Sequence, residues 1–186
     1  SSDPYALRRA AQGVVRIILE KKLDLSLSEL ITYSLSLHQS EKLQKDIAQF
    51  VKGRLKFVLQ EEEVRYDLID SVLAVAHEDI VQAVHIGMAL QKAAKDKEFN
   101  KLVDTGVRVF RLSKEAKGLD INENALVEEA EKNAYTALLS AEKSINVSVS
   151  SKDPAGMLRI LSGLIDPVSK FFDDVMVMDE DQQKRA

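Results

Sequence analysis

Cysteine and tryptophan are absent from the 186 residues, and only 3 prolines and 7 glycines punctuate them. Without cysteine, disulfide scaffolds, thiolate metal sites and cysteine nucleophiles are excluded together. The absence fits a reducing compartment, such as the cytoplasm or, in a eukaryote, an organelle interior. So few glycines and prolines exclude a collagen-like or loop-dominated chain. No apolar run approaches the roughly 18–20 residues that a membrane span needs. The opening Ser-Ser-Asp-Pro lacks the basic region and apolar stretch of a signal peptide. Both ends read as cuts within a longer chain.

What is present is a 45% hydrophobic, 30% charged sequence, rich in Leu, Ala, Lys and Glu. That composition excludes intrinsic disorder, supports a real core and favours long helices. Asp3-Pro4 reads as an N-cap followed by proline at the first helical position. Leu7, Ala10, Ala11, Val14, Val15, Ile18 and Leu19 then mark one face of a helix running to about Lys22. Ser26 or Ser28 is expected to cap a second helix through Leu30, Ile31 and Leu35. A third follows through Leu43, Ile47, Phe50, Val51, Leu55, Val58 and Leu59, with Gly53 inside it either tolerated or inviting a close helix crossing.

Further helical faces run from Leu68 to Val75, from Asp79 to Leu90 and from Phe99 to Phe110. Asn122 or Asn124 is expected to open a longer helix with Leu126, Ala130, Ala134, Leu138 and Ala141 inward. Val147-Ser148-Val149-Ser150 is the one alternating stretch and reads as an extended linker. Asp153-Pro154 and Asp166-Pro167 start the last two helices. Every other element reads helical, and no 20–50-residue period marks a solenoid. The expected fold is all-α, a bundle of about seven to nine helices.

Charge is segregated along this pattern within a net of −4. Residues 41–60 carry five basic side chains against two acidic, and residues 92–117 carry eight against four. Residues 61–80 hold seven acids and one base, and residues 120–142 hold six acids and one base. An acidic protein can therefore still present a cationic surface where the basic segments lie.

Catalytic constellations are missing from the pattern. His38, His77 and His85 are the only imidazoles, and their spacing fits no compact metal motif. No glycine-rich phosphate loop or nucleophile elbow occurs. Paired acids such as Asp67 and Asp70, or Asp173 and Asp174, read as caps or solvated faces. The chain is not expected to be catalytic alone, and no cofactor is expected within it.

The basic residues carry more. Arg54 and Lys56 flank Leu55, while Arg108 and Arg111 are three apart and share a helix face. Lys114 and Lys117 continue close to that face. Such a ridge suits a polyanion backbone, and guanidinium planes can stack on unpaired RNA bases. Arg54 can equally anchor its helix to Asp67 or Asp70, and Arg8 and Arg9 can pair with neighbouring acids.

Four phrases occur in order along the chain: Asp3-Pro-Tyr-Ala-Leu-Arg-Arg-Ala-Ala11, Phe50-Val-Lys-Gly-Arg-Leu-Lys-Phe-Val-Leu59, Tyr66-Asp-Leu-Ile-Asp-Ser-Val-Leu-Ala74, and Phe171-Phe-Asp-Asp-Val-Met-Val-Met178 before Asp179-Glu-Asp181. Together they closely resemble the C-terminal part of the β subunit of the bacterial-type heterotetrameric glycyl-tRNA synthetase. The resemblance implies an all-helical anticodon-binding domain of the DALR type shared with arginyl-tRNA synthetase. It also implies that tRNA(Gly) is engaged chiefly at its anticodon arm. In that family the α subunit carries the ATP- and Mg-dependent ligase chemistry for glycine, and the partners are the α subunit and the remainder of β. Where relatives carry a Lys-Arg-Val-x-Asn-Ile phrase, this chain reads Val107-Arg-Val-Phe-Arg-Leu112, so Arg111 stands where the polar Asn is expected.

These readings lead to a helical segment over 1–60 and a helical anticodon-binding domain over 61–186. The tRNA contacts are assigned to Arg108, Arg111, Lys114, Lys117, Arg54 and Lys56. The alternative is a helical scaffold for assembly with the α subunit or the rest of β.

Overall fold

A computed structural model describes residues 3–36, 40–114, 118 and 121–175. His38, Lys117 and the acidic phrase Asp179–Asp181 lie outside the described residues. Among those described, nine α-helices and two short 3-10 turns form, and no strand does. The all-α expectation holds. Two compact units divide the chain, Ser1–Lys92 and Ala93–Ala186. Position 60, where the sequence reading divides its domains, falls near the end of a long helix inside the first unit.

The first unit contains α1 (Leu7–Glu20), α2 (Leu27–Ser34), α3 (Glu41–Glu61), α4 (Tyr66–Val75) and α5 (Ile80–Ala93). Helix α3 is its centre and packs on α1, α2 and α4. Leu55 and Leu59 of α3, Val15 of α1, Ile69 and Val72 of α4 and Ile80 of α5 are almost completely buried. Burying a side chain of this size contributes about 1.5–3 kcal/mol, so this 3.6-residue periodicity drives the unit's assembly. A Cβ on Gly87 of α5 would lie 2.7 Å from Leu59 Cδ2, so α5 approaches α3 closely there. Gly53 has open space around its Cα, so the close crossing is at Gly87 and not at Gly53.

Local chemistry fixes the helix starts. The Ser26 hydroxyl accepts from the Glu29 N–H, and Asp79 Oδ1 accepts from the Gln82 N–H. Glu78 then joins the two starts: its Oε2 accepts from the Ser28 N–H at 3.0 Å, and its carbonyl accepts from the Leu27 N–H at 2.9 Å. Asp3 caps less directly than expected. Pro4–Ala6 forms a separate 3-10 turn, with Tyr5 and Ala6 at left-handed φ of 64° and 56°. The Asp3 carboxylate reaches over that turn to the N–H groups of Arg8 and Arg9. Those bonds, the Arg8 one foremost, hold its pKa below the ordinary aspartate value.

The second unit contains α6 (Lys97–Ser113), α7 (Glu129–Ser150), α8 (Pro154–Ser162) and α9 (Ile165–Asp174). Helix α7 packs on α8 and α9, and α6 packs on α9 and α8. The alternating Val147–Ser150 stretch is the last turn of α7, not an extended linker. Four alternating residues with no partner strand cannot outweigh continued helix propagation, and Ser150 and Ser151 turn their hydroxyls onto the carbonyls one turn back. Asp153 caps α8 as expected, accepting from the Gly156 N–H.

Asn122 caps only the short turn Glu123–Ala125. Helix α7 starts at Glu129, where Glu131 reaches back to the Val127 and Glu128 N–H groups at 2.8 Å. Ala130 and Ala141 face inward as expected, whereas Leu138 is 47% exposed. Ile165 of α9 is the large aliphatic buried in this unit among the described residues, and the rest of its core is small residues and half-buried aliphatics.

Candidate nucleic-acid interface

Helix α6 turns Leu102, Thr105 and Leu112, all half-buried, inward. These positions recur at three and seven residues and so share one side of the helix. Asp96 begins the helix by accepting from the Glu98 N–H. The remaining circumference of α6 is exposed and carries the cations expected from the sequence.

Arg108 is placed beside α9 and held there by three contacts. Its guanidinium carbon lies 4.3 Å from the centre of the Phe172 ring. Nη2 donates to the Phe172 carbonyl at 3.2 Å, and Nη1 lies 3.7 Å from Asp173 Oδ1. Phe172 is itself in tilted contact with Phe171, centroid to centroid 5.4 Å. About half of the Arg108 side chain remains exposed, so the group is fixed in orientation without being removed from the surface.

Arg111 lies on the exposed side of α6, and among the described residues it takes no hydrogen bond or ion pair. Lys114, the residue that ends α6, holds its Nζ 4.7 Å from the centre of the Phe110 ring, and that ring is 62% exposed. An open cleft of about 650 Å³ lies between α6 and the end of α9, lined by Asp104, Val107, Arg108, Arg111, Leu112, Phe172 and Val175. Asp104, Phe110 and Phe172 are members of this surface that cation counting overlooks. The signal for Phe110 was its place beside Arg111; Asp104 and Phe172 join only through the packing of α9 on α6.

The basic residues expected from the first unit are differently engaged. Lys56 Nζ holds Asp70 Oδ1 at 2.8 Å. Asp67 is gripped from its own helix start by both arms of Arg65, at 2.6 and 2.8 Å. That two-armed hydrogen bond lowers the Asp67 pKa and raises that of Arg65. Of the two roles open to Arg54, the anchor to Asp67 or Asp70 does not form: Arg65 and Lys56 take those acids. Arg54 instead lies 5.7 Å from the centre of the Phe50 ring, one turn back, with its Nε buried and without a hydrogen-bond partner among the described residues.

The two described histidines do not converge. His77 Nε2 lies 3.6 Å from Glu78, and His85 is exposed on α5. Among the described residues no group of three or more His, Asp or Glu side chains is placed to hold a metal ion. Among them, too, no helix is long and apolar enough to cross a membrane.

Comparison with known proteins bears on this surface. Residues 1–74 match the family described as Glycyl-tRNA synthetase beta subunit. Residues 102–186, which begin within α6, match the DALR anticodon binding domain. Among curated relatives, the glycine–tRNA ligase beta subunit of Desulfitobacterium hafniense is 35% identical over 98% of this chain. That of Bacillus subtilis is 31% identical over 100% of it, and that of Rickettsia canadensis 35% identical over 97%. The chain spans 28% of the length of the first of these relatives and 27% of the other two. It belongs to the glycyl-tRNA synthetase β-subunit family and carries the DALR domain in its second half.

Proposed function

We propose that this member of the family recognises tRNA, holding the anticodon arm of tRNA(Gly) against the C-terminal half of α6, and that no bond-making step takes place within it. The observation that carries the reading is a coincidence of position. The segment matching the anticodon-binding domain contains the exposed, ion-pair-free Arg111 and, three residues on, Lys114. Residues three apart on a helix are neighbours, and each cation can neutralise a phosphate and release its counterion. The exposed ring of Phe110 offers a face on which an unpaired base can stack.

In this proposal the ATP- and Mg-dependent joining of glycine belongs to the α subunit, with which this β subunit would assemble in a heterotetramer, in the cytoplasm. No residue here is assigned to ATP, metal or glycine. A second reading, a scaffold for the α subunit or the rest of β, draws on Val103 and Val107, which stand exposed on α6 one and two turns before Phe110. Exposed aliphatics in a row favour a protein partner.

Filter retention of tRNA(Gly) at increasing salt separates the two. The expected result is a loss of roughly tenfold or more for R111E/K114E, with a salt slope shallower by between about one and two. Unchanged affinity in that variant would sink the residue assignment. Tight binding of the α subunit with weak, salt-independent tRNA binding would put the scaffold first.

A further inference from the structure

We propose that the cleft between α6 and the end of α9 is a subsite for one unpaired guanine base, with Asp104 reading the base and Arg111 holding an adjacent phosphate. The inference rests on the tRNA-binding reading above and names what one part of that surface recognises.

Asp104 and Arg108 stand four residues apart on α6, the spacing at which a carboxylate and a guanidinium ordinarily pair along a helix. They do not pair here. Arg108 is drawn instead to the ring and carbonyl of Phe172 and towards the carboxylate of Asp173. Among the described residues Asp104 is left with no hydrogen bond or ion pair, although it lines the cleft beside a fixed cation. A carboxylate is an acceptor only, with two oxygens side by side. The Watson–Crick edge of guanine is the one base edge with two adjacent N–H donors, N1–H and the N2 amino group. Adenine and cytosine offer a single donor group beside a ring acceptor, and uracil places its one N–H between two carbonyl oxygens. Edge chemistry therefore selects guanine.

The surroundings supply the other two requirements of a base site. Arg108 has its guanidinium carbon over the Phe172 ring and about half of its side chain exposed, so the group is held in place with part of it open to a ligand. Guanidinium planes stack on unpaired bases. Arg111 lies seven residues beyond Asp104 on the same face, about 10 Å along the axis, and takes no partner among the described residues. That is a reach suited to a neighbouring phosphate. The open cleft of about 650 Å³ lies within the size range of small-ligand sites.

The test uses the full chain and labelled RNA hairpins with identical stems that differ only in one loop nucleotide, with affinity read by fluorescence anisotropy. The guanine hairpin is expected to bind roughly tenfold tighter than the adenine or uracil hairpins. D104N, which replaces the paired acceptors with one donor and one acceptor, should bring the ratio close to one without weakening the adenine hairpin. D104E keeps the acceptor pair and should keep the preference. Equal affinity for all hairpins, or a preference unchanged in D104N, overturns the guanine subsite. If salt-dependent tRNA(Gly) binding through Arg111 and Lys114 persists in that case, the broader reading survives; if no RNA binds at all, both fall.

Discussion

Arg108 of α6 covers the ring of Phe172 in α9 at 4.3 Å and donates to that same residue's carbonyl oxygen. One side chain thus fixes both the position of a helix end and the orientation of a cation at the surface. Phe172 and Asp173 belong to the last of the four phrases that resemble the family, and the structure gives these two residues a packing role beside the basic face.

Removing this contact should be felt in stability as well as in binding. An exposed cation–π contact is worth about 0.5–1 kcal/mol and a hydrogen bond to a carbonyl about 0.5–1.5 kcal/mol. R108A is expected to destabilise the chain by about 1–2 kcal/mol, read by urea denaturation. D173N should cost less than about 0.5 kcal/mol, because its 3.7 Å approach is largely solvent-exposed. Equal losses in both variants would place the anchor in the ion pair instead of the ring and carbonyl.

Gly53 and Gly87 should respond to alanine with opposite signs. Gly53 sits inside α3 with nothing within 4 Å of a Cβ. There G53A gains about 0.5–1 kcal/mol from helix propensity alone. At Gly87 the same substitution presses a methyl against the fully buried Leu59, 2.7 Å away. Overpacking costs about 1–3 kcal/mol, which exceeds the propensity gain. Thermal melts should therefore move up for G53A and down for G87A.

Glu78 makes part of the first unit sensitive to acid. Hydrogen bonds from Ser28 foremost, with the nearby His77 and Ser26 contributing less, hold its pKa below the ordinary value of 4.5. A carboxylate with a lowered folded pKa contributes stability that is present above its unfolded pKa and is lost as pH falls through the folded one. Stability should decline below about pH 4.5 more steeply in the parent than in E78Q. The difference should stay under about 1 kcal/mol, since the group is half exposed and screened. Parallel acid limbs would show that the Ser28 bonds contribute nothing net.

Tyr135 offers a spectroscopic reading of the second unit. Its hydroxyl donates to Glu123 Oε1 at 2.7 Å, tying the turn before α7 to the helix itself. That bond, with the negative charge beside it, raises the Tyr135 pKa above 10.0. A raised folded pKa contributes stability below the unfolded value that is lost as pH rises through the folded one. Ultraviolet titration should show one tyrosine ionising late, and E123Q should return it towards the ordinary range. Identical titrations would exclude the contact.

Much of the fold was legible from short-range chemistry. Ser26 and Asp153 cap where their spacing to apolar runs predicts, because a cap needs only a side-chain oxygen two or three residues from a free N–H. The failures share a cause as well. Val147–Ser150 alternates like a strand, but the helix behind it and the buried placement of Ser148 decide its conformation. For Arg54 the sequence left open an anchor to Asp67 or Asp70 beside an RNA contact, and spacing could not reveal that Arg65 and Lys56 reach those acids first.

The sequence by itself determined an all-helical protein with separated basic and acidic segments and membership of a recognisable family. These are properties of composition, of 3.6-residue periodicity and of ordered phrases, all local along the chain. Only the tertiary structure decided which charges are spent and which are free. Arg108 abandons Asp104, its neighbour along the helix, for Phe172, sixty-four residues on, which leaves a carboxylate and Arg111 open to a ligand. Pairing between side chains depends on the angle and depth at which helices meet, and that geometry arises from the packing of whole faces.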